Sequence, residues 1–351
     1  MFETPTVIIT GAGTSVEFGL PSGKDIFTTL QREAKKSISR WNGQPNLLDD
    51  GTSPTPSLTL FNLISFLEKR EGKFQSQLQK IGQTIDIQFD DSIDEYLFNN
   101  QEFQDIGKLL SVWRLYCSLY QEAYLNNRRL LSRRSEHMFK TSPTNKATKS
   151  WLASLAHKIT KDCQTVDDLR KNKLSILTFN YDPLIKEGLL SLIKGSGRFS
   201  KISSLDFIEI IHVNGKLNIS DTFNLKVDDW NHKHVVGQDL FREIEENTNN
   251  IFMINEGINS KISTSRENAK RLLQGSKKIF ALGFAFDPNN VKLVGLDMLD
   301  SEQNLYALNY NGDIQLKNRI KMVAENKITI IGTSANAVGA SEAAAQGLFD
   351  H

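Results

Sequence analysis

The sequence predicts an α/β fold: a parallel sheet with helices on both faces, plus a mainly helical insertion module. Three observations carry this. Short β-branched runs recur near both ends of the chain, helical stretches separate several of them, and the tract between about 31 and 165 carries apolar residues at helical spacing instead.

The first run, "TVIIT" at 6–10, is short and apolar, so it reads as a strand buried on both faces. It stops at Gly11-Ala12-Gly13, and Thr14, Ser15 and Gly19-Leu20-Pro21 follow. A strand leading into glycine and a helix start presents backbone N–H groups and the positive end of a helix dipole, which together bind phosphate. Gly11 permits the turn, Ala12 and Gly13 let a ligand come close, and Thr14 and Ser15 add hydroxyl donors. The spacing is neither G-x-G-x-x-G nor a P-loop, because no Lys-Ser/Thr pair follows. A plain strand-to-helix turn uses the same residues.

The insertion comes next. "LFNLISFLEK" and "FQDIGKLLSVWRLYCSLYQEAYLNNRRLL" are helical by periodicity, and "SIDEYL" sets Glu95 three residues after Ser92, a capping-box pattern. Loops are expected at 42–57 and 142–148. Trp113, Tyr116, Tyr120 and Tyr124 form an aromatic stripe, which serves either a homo-oligomer or packing on the sheet domain. The arginines of "NNRRLLSRRS" read as a solvated face.

The remaining strands follow in order. "LSILTF" at 174–179 runs into "TFNYD", which sets Asn180 at a carboxyl strand end, where open α/β sheets bind ligands. Its amide can hold a ribose hydroxyl or a water, or simply close an Asx turn. "FIEIIHV" at 207–213 runs into "NGKLN", with His212 and Asn214 on one face of the strand. "SRENAKRLLQG" is a helix starting near Ser265 and closed by a left-handed Gly275. "KIFALGF" at 278–284, "LYALNY" at 305–310 and "ITIIG" at 328–332 complete the set, with "QLKNRIKMVAEN" helical between the last two. Several polar strand ends in one sheet point to a shared crevice.

Composition narrows the function. The chain has 351 residues, 39% hydrophobic and 24% charged, with a formal net charge of +1. That is a soluble composition with no bulk electrostatic case for nucleic acid or an anionic membrane. Cys117 and Cys163 are the whole cysteine complement, so neither a zinc ribbon nor a disulfide framework is expected. No secretory pattern or membrane-length apolar run is read, and a cytoplasmic protein is expected.

"GAGTSVEFGLPSG", "TFNYD", the histidine-and-glycine strand, "LGF" and "LNYN" occur in the order found in sirtuin-like proteins. The chain most resembles the bacterial sirtuin-like NAD hydrolases of antiphage defence, over roughly 1–30 and 170–335. The resemblance implies a Rossmann-like NAD-binding domain over 1–30 and 166–351, with the helical module at 31–165. It implies NAD as substrate, cleaved to ADP-ribose and nicotinamide, in a site between sheet and helical module. Gly11, Ala12, Gly13 and Ser15 would line the pyrophosphate and ribose. Asn180 would orient the nicotinamide ribose and the attacking water, with Asp182 supporting its turn. Gly283, Phe284 and Asn309 would meet the adenosine half, and Thr333 and Ser334 would border the adenine. Nicotinamide leaves as a neutral group through an oxocarbenium-like transition state, so the site mainly positions water and holds ribose hydroxyls. By the same resemblance a partner defence protein, an ATPase or a nucleic-acid-guided sensor, supplies the trigger.

The sequence departs from the family in three places. Deacetylating sirtuins continue the glycine motif with Pro-Asp-Phe-Arg, whereas here Pro21-Ser22-Gly23-Lys24 follows. Their four-cysteine zinc module cannot be built from two distant cysteines, so no zinc is expected. The family's catalytic histidine directly precedes a glycine, and Asn214 stands there before Gly215. Three explanations stay open: His212 has taken over the role, the enzyme is naturally weak, or Asn214 is a His-to-Asn substitution, which is the favoured one. A binding-only sensor of NAD or ADP-ribose, or a scaffold, is the alternative function.

Overall fold

The computed structural model describes residues 1–40, 60–68, 73–85, 92–130, 150–219, 238–256, 260–309, 312–323, 328–332 and 339–351. The expected loops at 42–57 and 142–148 lie outside these residues, as do Thr333 and Ser334.

Along the chain, β1 (Thr6–Thr10) and the single turn α1 (Ala12–Val16) lead into α2 (Gly23–Arg40), α3 (Leu60–Glu68), α4 (Phe74–Thr84), α5 (Ile93–Asn99) and α6 (Gln104–Leu130). Then come α7 (Trp151–Thr160), α8 (Val166–Leu169), β2 (Leu174–Thr178), α9 (Leu184–Gly195), β3 (Glu209–His212), α10 (Gln238–Thr248) and α11 (Ser260–Gln274). The chain ends with β4 (Lys278–Leu282), α12 (Pro288–Val294), β5 (Asn304–Leu308), α13 (Ile314–Val323), β6 (Ile328–Ile331) and α14 (Ala340–Ala345).

The strands form one all-parallel sheet in the order β3-β2-β1-β4-β5-β6. This is the strand order of a Rossmann-like doubly wound sheet, whose switch point falls between β1 and β4. Alternation along the strands builds two cores. Ile8, Ile176 and Phe280 face α7, α9 and α14, with Trp151, Leu155 and Leu189 buried among them. Val7, Ile9, Leu177 and Ile279 face α11, α12 and α13 through Leu273, Val294 and Ile320. Two apolar faces explain why these strands read as continuous hydrophobic runs.

The chain divides into two compact units. One comprises Met1–Phe18, His137–Lys216 and Glu256–His351, and holds the sheet. The other comprises Gly19–Glu136 and Leu217–Asn255, and its described elements are helical. The sequence alone suggests divisions after 30 and 165; residues 19–30 and 217–255 instead group with the helices, and α7 groups with the sheet.

In the helical unit α2 lies against α4, α5 and α6, and α10 against α6. Ser92 caps α5 by accepting from the Glu95 N–H at 3.3 Å. Trp113 and Tyr116 of the aromatic stripe are buried, and the side chains of Tyr120 and Tyr124 lie outside the described set. Tyr116 donates its hydroxyl to Glu243 at 2.8 Å and accepts from Asn247 at 2.9 Å. Those two rings therefore offer no exposed surface for self-association.

Several strand ends come earlier than the sequence suggests. β4 stops at Leu282 because Gly283 turns to φ +56 and Phe286 to φ +53, both in the left-handed region that breaks a strand. α11 begins five residues before Ser265, at Ser260, and Gly275 ends it without a positive φ. Among the described residues no helix is long and apolar enough to cross a membrane.

Candidate functional site

The sheet register brings Thr10, Thr178, His212 and Leu282 level at its carboxyl edge. Everything just beyond them converges there: the Gly11–Ser15 turn, Asn180, the turn after His212, and Gly283.

The glycines serve the fold first. The Gly11 N–H donates to the Leu282 carbonyl at 3.0 Å, and the Gly13 N–H to the Gly283 carbonyl at 3.1 Å. The Thr14 N–H turns back to the Gly11 carbonyl at 3.0 Å. A Cβ on Gly11 would sit 2.5 Å from the Gly283 oxygen, and one on Gly13 would sit 2.8 Å from its Cα. What approaches the turn so closely is the end of β4. These N–H groups are engaged, contrary to the expectation of a free phosphate cradle, and a helix of five residues adds only a slight dipole.

Ser15 and Thr14 are buried, while Ala12 is half-buried and Gly13 exposed. Asn180 ties these residues together. It is 7% exposed, and its Nδ2 lies 3.0 Å from the Gly11 oxygen, 3.2 Å from Thr14 Oγ1 and 2.8 Å from Ser15 Oγ. A backbone carbonyl can only accept, so the contact with Gly11 fixes which end of the amide carries nitrogen. The side-chain hydrogen bonds of Asn180 to described residues all run through Nδ2, and none involves Oδ1. Thr14 Oγ1 donates to the Gly11 carbonyl at 2.8 Å, and Ser15 Oγ donates to Asp182 Oδ2 at 2.9 Å.

Asp182 is buried and accepts the Leu184 N–H on its other oxygen at 3.0 Å. Burial pushes its carboxyl above the usual range, opposed by the Ser15 and Leu184 hydrogen bonds.

His212 ends β3, an edge strand, and its Nδ1 lies 2.9 Å from the Asn180 carbonyl. That acceptor puts the proton on Nδ1 and leaves the lone pair on Nε2. Burial pulls the imidazole down to about 4, with Lys216 beyond the turn and Lys186 on α9 adding repulsion and the Asn180 hydrogen bond opposing. The unfolded histidine takes up its proton near 6.5 and the folded one only near 4, so acidification through that window favours unfolding. Stability is expected to fall by up to about 3 kcal/mol between those pH values, and His212→Gln is expected to remove that part of the slope. Urea midpoints against pH measure it; parallel slopes for both proteins would contradict the assignment.

His212 and Asn214 do not share a strand face. β3 stops at His212, the chain turns through Val213 and Asn214, and Gly215 reaches φ +87, so strand alternation ends too early. Asn214 is buried, and its Oδ1 accepts from Arg266 Nη2 at 3.2 Å. Arg266, on α11, is 5% exposed and also donates to the Glu256 carbonyl at 3.3 Å. Sequence reasoning missed it, because among Arg266, Lys270 and Arg271 nothing marks the one arginine that turns inward.

Two expected contacts face the interior. Phe284 is 4% exposed, with its ring 4.9 Å from Phe179 and 5.0 Å from Phe286. Asn309 closes on Asp313 through both ends of its amide, each at 3.1 Å. Two cavities, of about 350 and 620 Å³, lie at the opposite, amino edge of the sheet around Thr6. Both cysteines are free thiols; burial pushes Cys117 up to about 12, which leaves it unreactive. Among the described residues no group of His, Cys, Asp or Glu is arranged to hold a metal ion.

No protein-family model matches the chain, and no curated protein matches it in sequence.

Proposed function

We propose that this chain is a sirtuin-like NAD hydrolase that cleaves NAD to ADP-ribose and nicotinamide. The observation that supports it best is the row of polar groups across the carboxyl ends of β1, β2 and β3, organised by Asn180. A dinucleotide in a doubly wound sheet binds at this edge beside the switch point. Asn180 Oδ1 makes no hydrogen bond to a described residue, and it suits a ribose hydroxyl or the attacking water. The Asp182 carboxyl accepts from Ser15 and fixes the hydroxyl that stands beside the Asn180 amide. Water attacks C1′ of the ribose as the bond to nicotinamide breaks, and the pyridine nitrogen takes the bonding electrons.

In the proposed site the Gly11–Gly13 turn contributes shape more than hydrogen bonds, since its amides bind Leu282 and Gly283. The pyrophosphate would meet Ala12 and the exposed Gly13, with Gly283 beneath. The wider role we propose is NAD depletion in a cytoplasmic antiphage defence system, with a partner ATPase or nucleic-acid-guided sensor. Its support is the order of the sequence motifs alone.

Calorimetric titration with NAD, followed by quantification of free nicotinamide, tests the reading. One NAD bound per chain with nicotinamide accumulating over many turnovers is expected. No heat and no nicotinamide would overturn it, and binding without cleavage would leave a sensor instead of an enzyme.

A further inference from the structure

We infer that Trp151, with Ser341 and Glu17 behind it, clamps the α1 turn in its working position, and that the seating of α14 is thereby coupled to NAD at the carboxyl edge. The inference rests on the NAD-hydrolase reading above and names positioning residues that act on that site through Thr14.

A five-residue helix does not hold itself, and Gly11 gives α1 no side-chain cap. The Phe18 N–H goes to the Ser15 carbonyl at 3.0 Å, and the buried Thr14 carbonyl takes a side-chain donor from far along the chain. That donor is the indole Nε1 of Trp151, at the start of α7, which lies 3.3 Å away; both residues are fully buried. The backbone N–H of Trp151 donates to Ser341 Oγ at 2.9 Å. Ser341, in the first turn of α14, donates through its hydroxyl to Glu17 Oε2 and through its N–H to Glu17 Oε1 at 3.2 Å. Glu17 follows α1 directly. The contacts therefore close a circuit from Thr14 through Trp151, Ser341 and Glu17, and back along α1.

Thr14 carries the effect to the site. Its N–H and hydroxyl bind the Gly11 carbonyl and its own carbonyl binds the indole, so it is held at three points. Its Oγ1 and the neighbouring Ser15 Oγ are the hydroxyls that meet Asn180 Nδ2. The chain passes into the helical unit after Phe18, so the Glu17 anchor stands between that segment and the turn. A site that works by orientation is sensitive to such anchors, since a displacement of about 1 Å can cost about 100-fold in rate. Linkage is reciprocal, so a ligand that favours the fixed turn also favours the seated α14.

Nicotinamide release should be compared among the unsubstituted protein, Trp151→Phe, Ser341→Ala, Ser341→Thr, Glu17→Ala and the Glu17→Ala/Ser341→Ala double variant. Trp151→Phe keeps an aromatic ring and loses the indole donor; it is expected to lower kcat about tenfold with KM changed less than about threefold. Ser341→Ala and Glu17→Ala are each expected to lower kcat about threefold or more, the double variant no further than the worse single one. Ser341→Thr keeps the hydroxyl and is expected to stay within about twofold of the unsubstituted rate. A Trp151→Phe enzyme with unchanged kcat, or Glu17 and Ser341 losses that multiply, would overturn the clamp while leaving NAD hydrolysis standing. An unsubstituted protein that neither binds nor cleaves NAD would overturn the reading beneath it. Hydrogen exchange on the unsubstituted protein needs no variant to fold. The Trp151 indole N–H is expected to exchange slowly without NAD, and the α14 amides to exchange at least about threefold more slowly once NAD is bound. A rapidly exchanging indole would overturn the clamp, and α14 exchange unmoved by bound NAD would overturn the coupling.

Discussion

Gly283→Ala is expected to lower the unfolding free energy by about 3–5 kcal/mol. A Cβ there would lie 2.3 Å from the Thr14 backbone nitrogen and 2.7 Å from the Gly13 carbonyl carbon, so no flexible side chain can yield to it. The residue also holds φ +56, which costs an alanine further. Relief requires the end of β4 to part from the glycine turn, breaking the Gly13-to-Gly283 hydrogen bond at the switch point. Gly275→Ala is the matched control. Its φ is not positive and its nearest neighbour would be the Arg271 oxygen at 3.4 Å, so a change within about 1 kcal/mol is expected. Chemical denaturation of both variants decides it; equal stabilities would show that the two turns are not interlocked.

Asn180→Ala is expected to reduce nicotinamide release at least 100-fold, the loss of one positioning group from a site that works by orientation. Its stability cost should be smaller, about 1–3 kcal/mol, because three hydrogen-bond contacts to Gly11, Thr14 and Ser15 go at once. His212 should keep its tautomer in this variant, since its partner is the backbone oxygen of residue 180. Kinetics and nitrogen NMR on the same sample separate the two roles. A variant that keeps full turnover would remove Asn180 from the chemistry and leave it as a structural clamp.

The sheet was legible because its strands are buried on both faces, so each reads as an uninterrupted apolar run. Asn180 was legible because strand ends are where such sheets place polar groups, whereas Asp182 entered only through the family resemblance. The glycine turn was legible only as a question. "GAG" signals close approach, and it does not say that the approaching group is the Gly283 backbone. For that reason Gly13→Val, an obvious probe of pyrophosphate binding, would disturb the turn itself, since its first side-chain carbon already meets Gly283 at 2.8 Å. His212 and Asn214 illustrate a different limit. Period-two alternation predicts a shared face only while the strand lasts, and it lasts one residue less than "FIEIIHV" suggests. Arg266 was invisible because its inward turn depends on a carbonyl and an amide distant in sequence.

At this carboxyl edge the proposed reaction is hydrolysis of NAD by water. The most direct measurement is a reaction run in ¹⁸O-enriched water, with nicotinamide counted and ADP-ribose weighed by mass spectrometry. Equimolar nicotinamide and ADP-ribose are expected, with one ¹⁸O on the ribose C1′ and at least 100-fold less of both from Asn180→Ala. NAD recovered intact from the unsubstituted protein would contradict this reading.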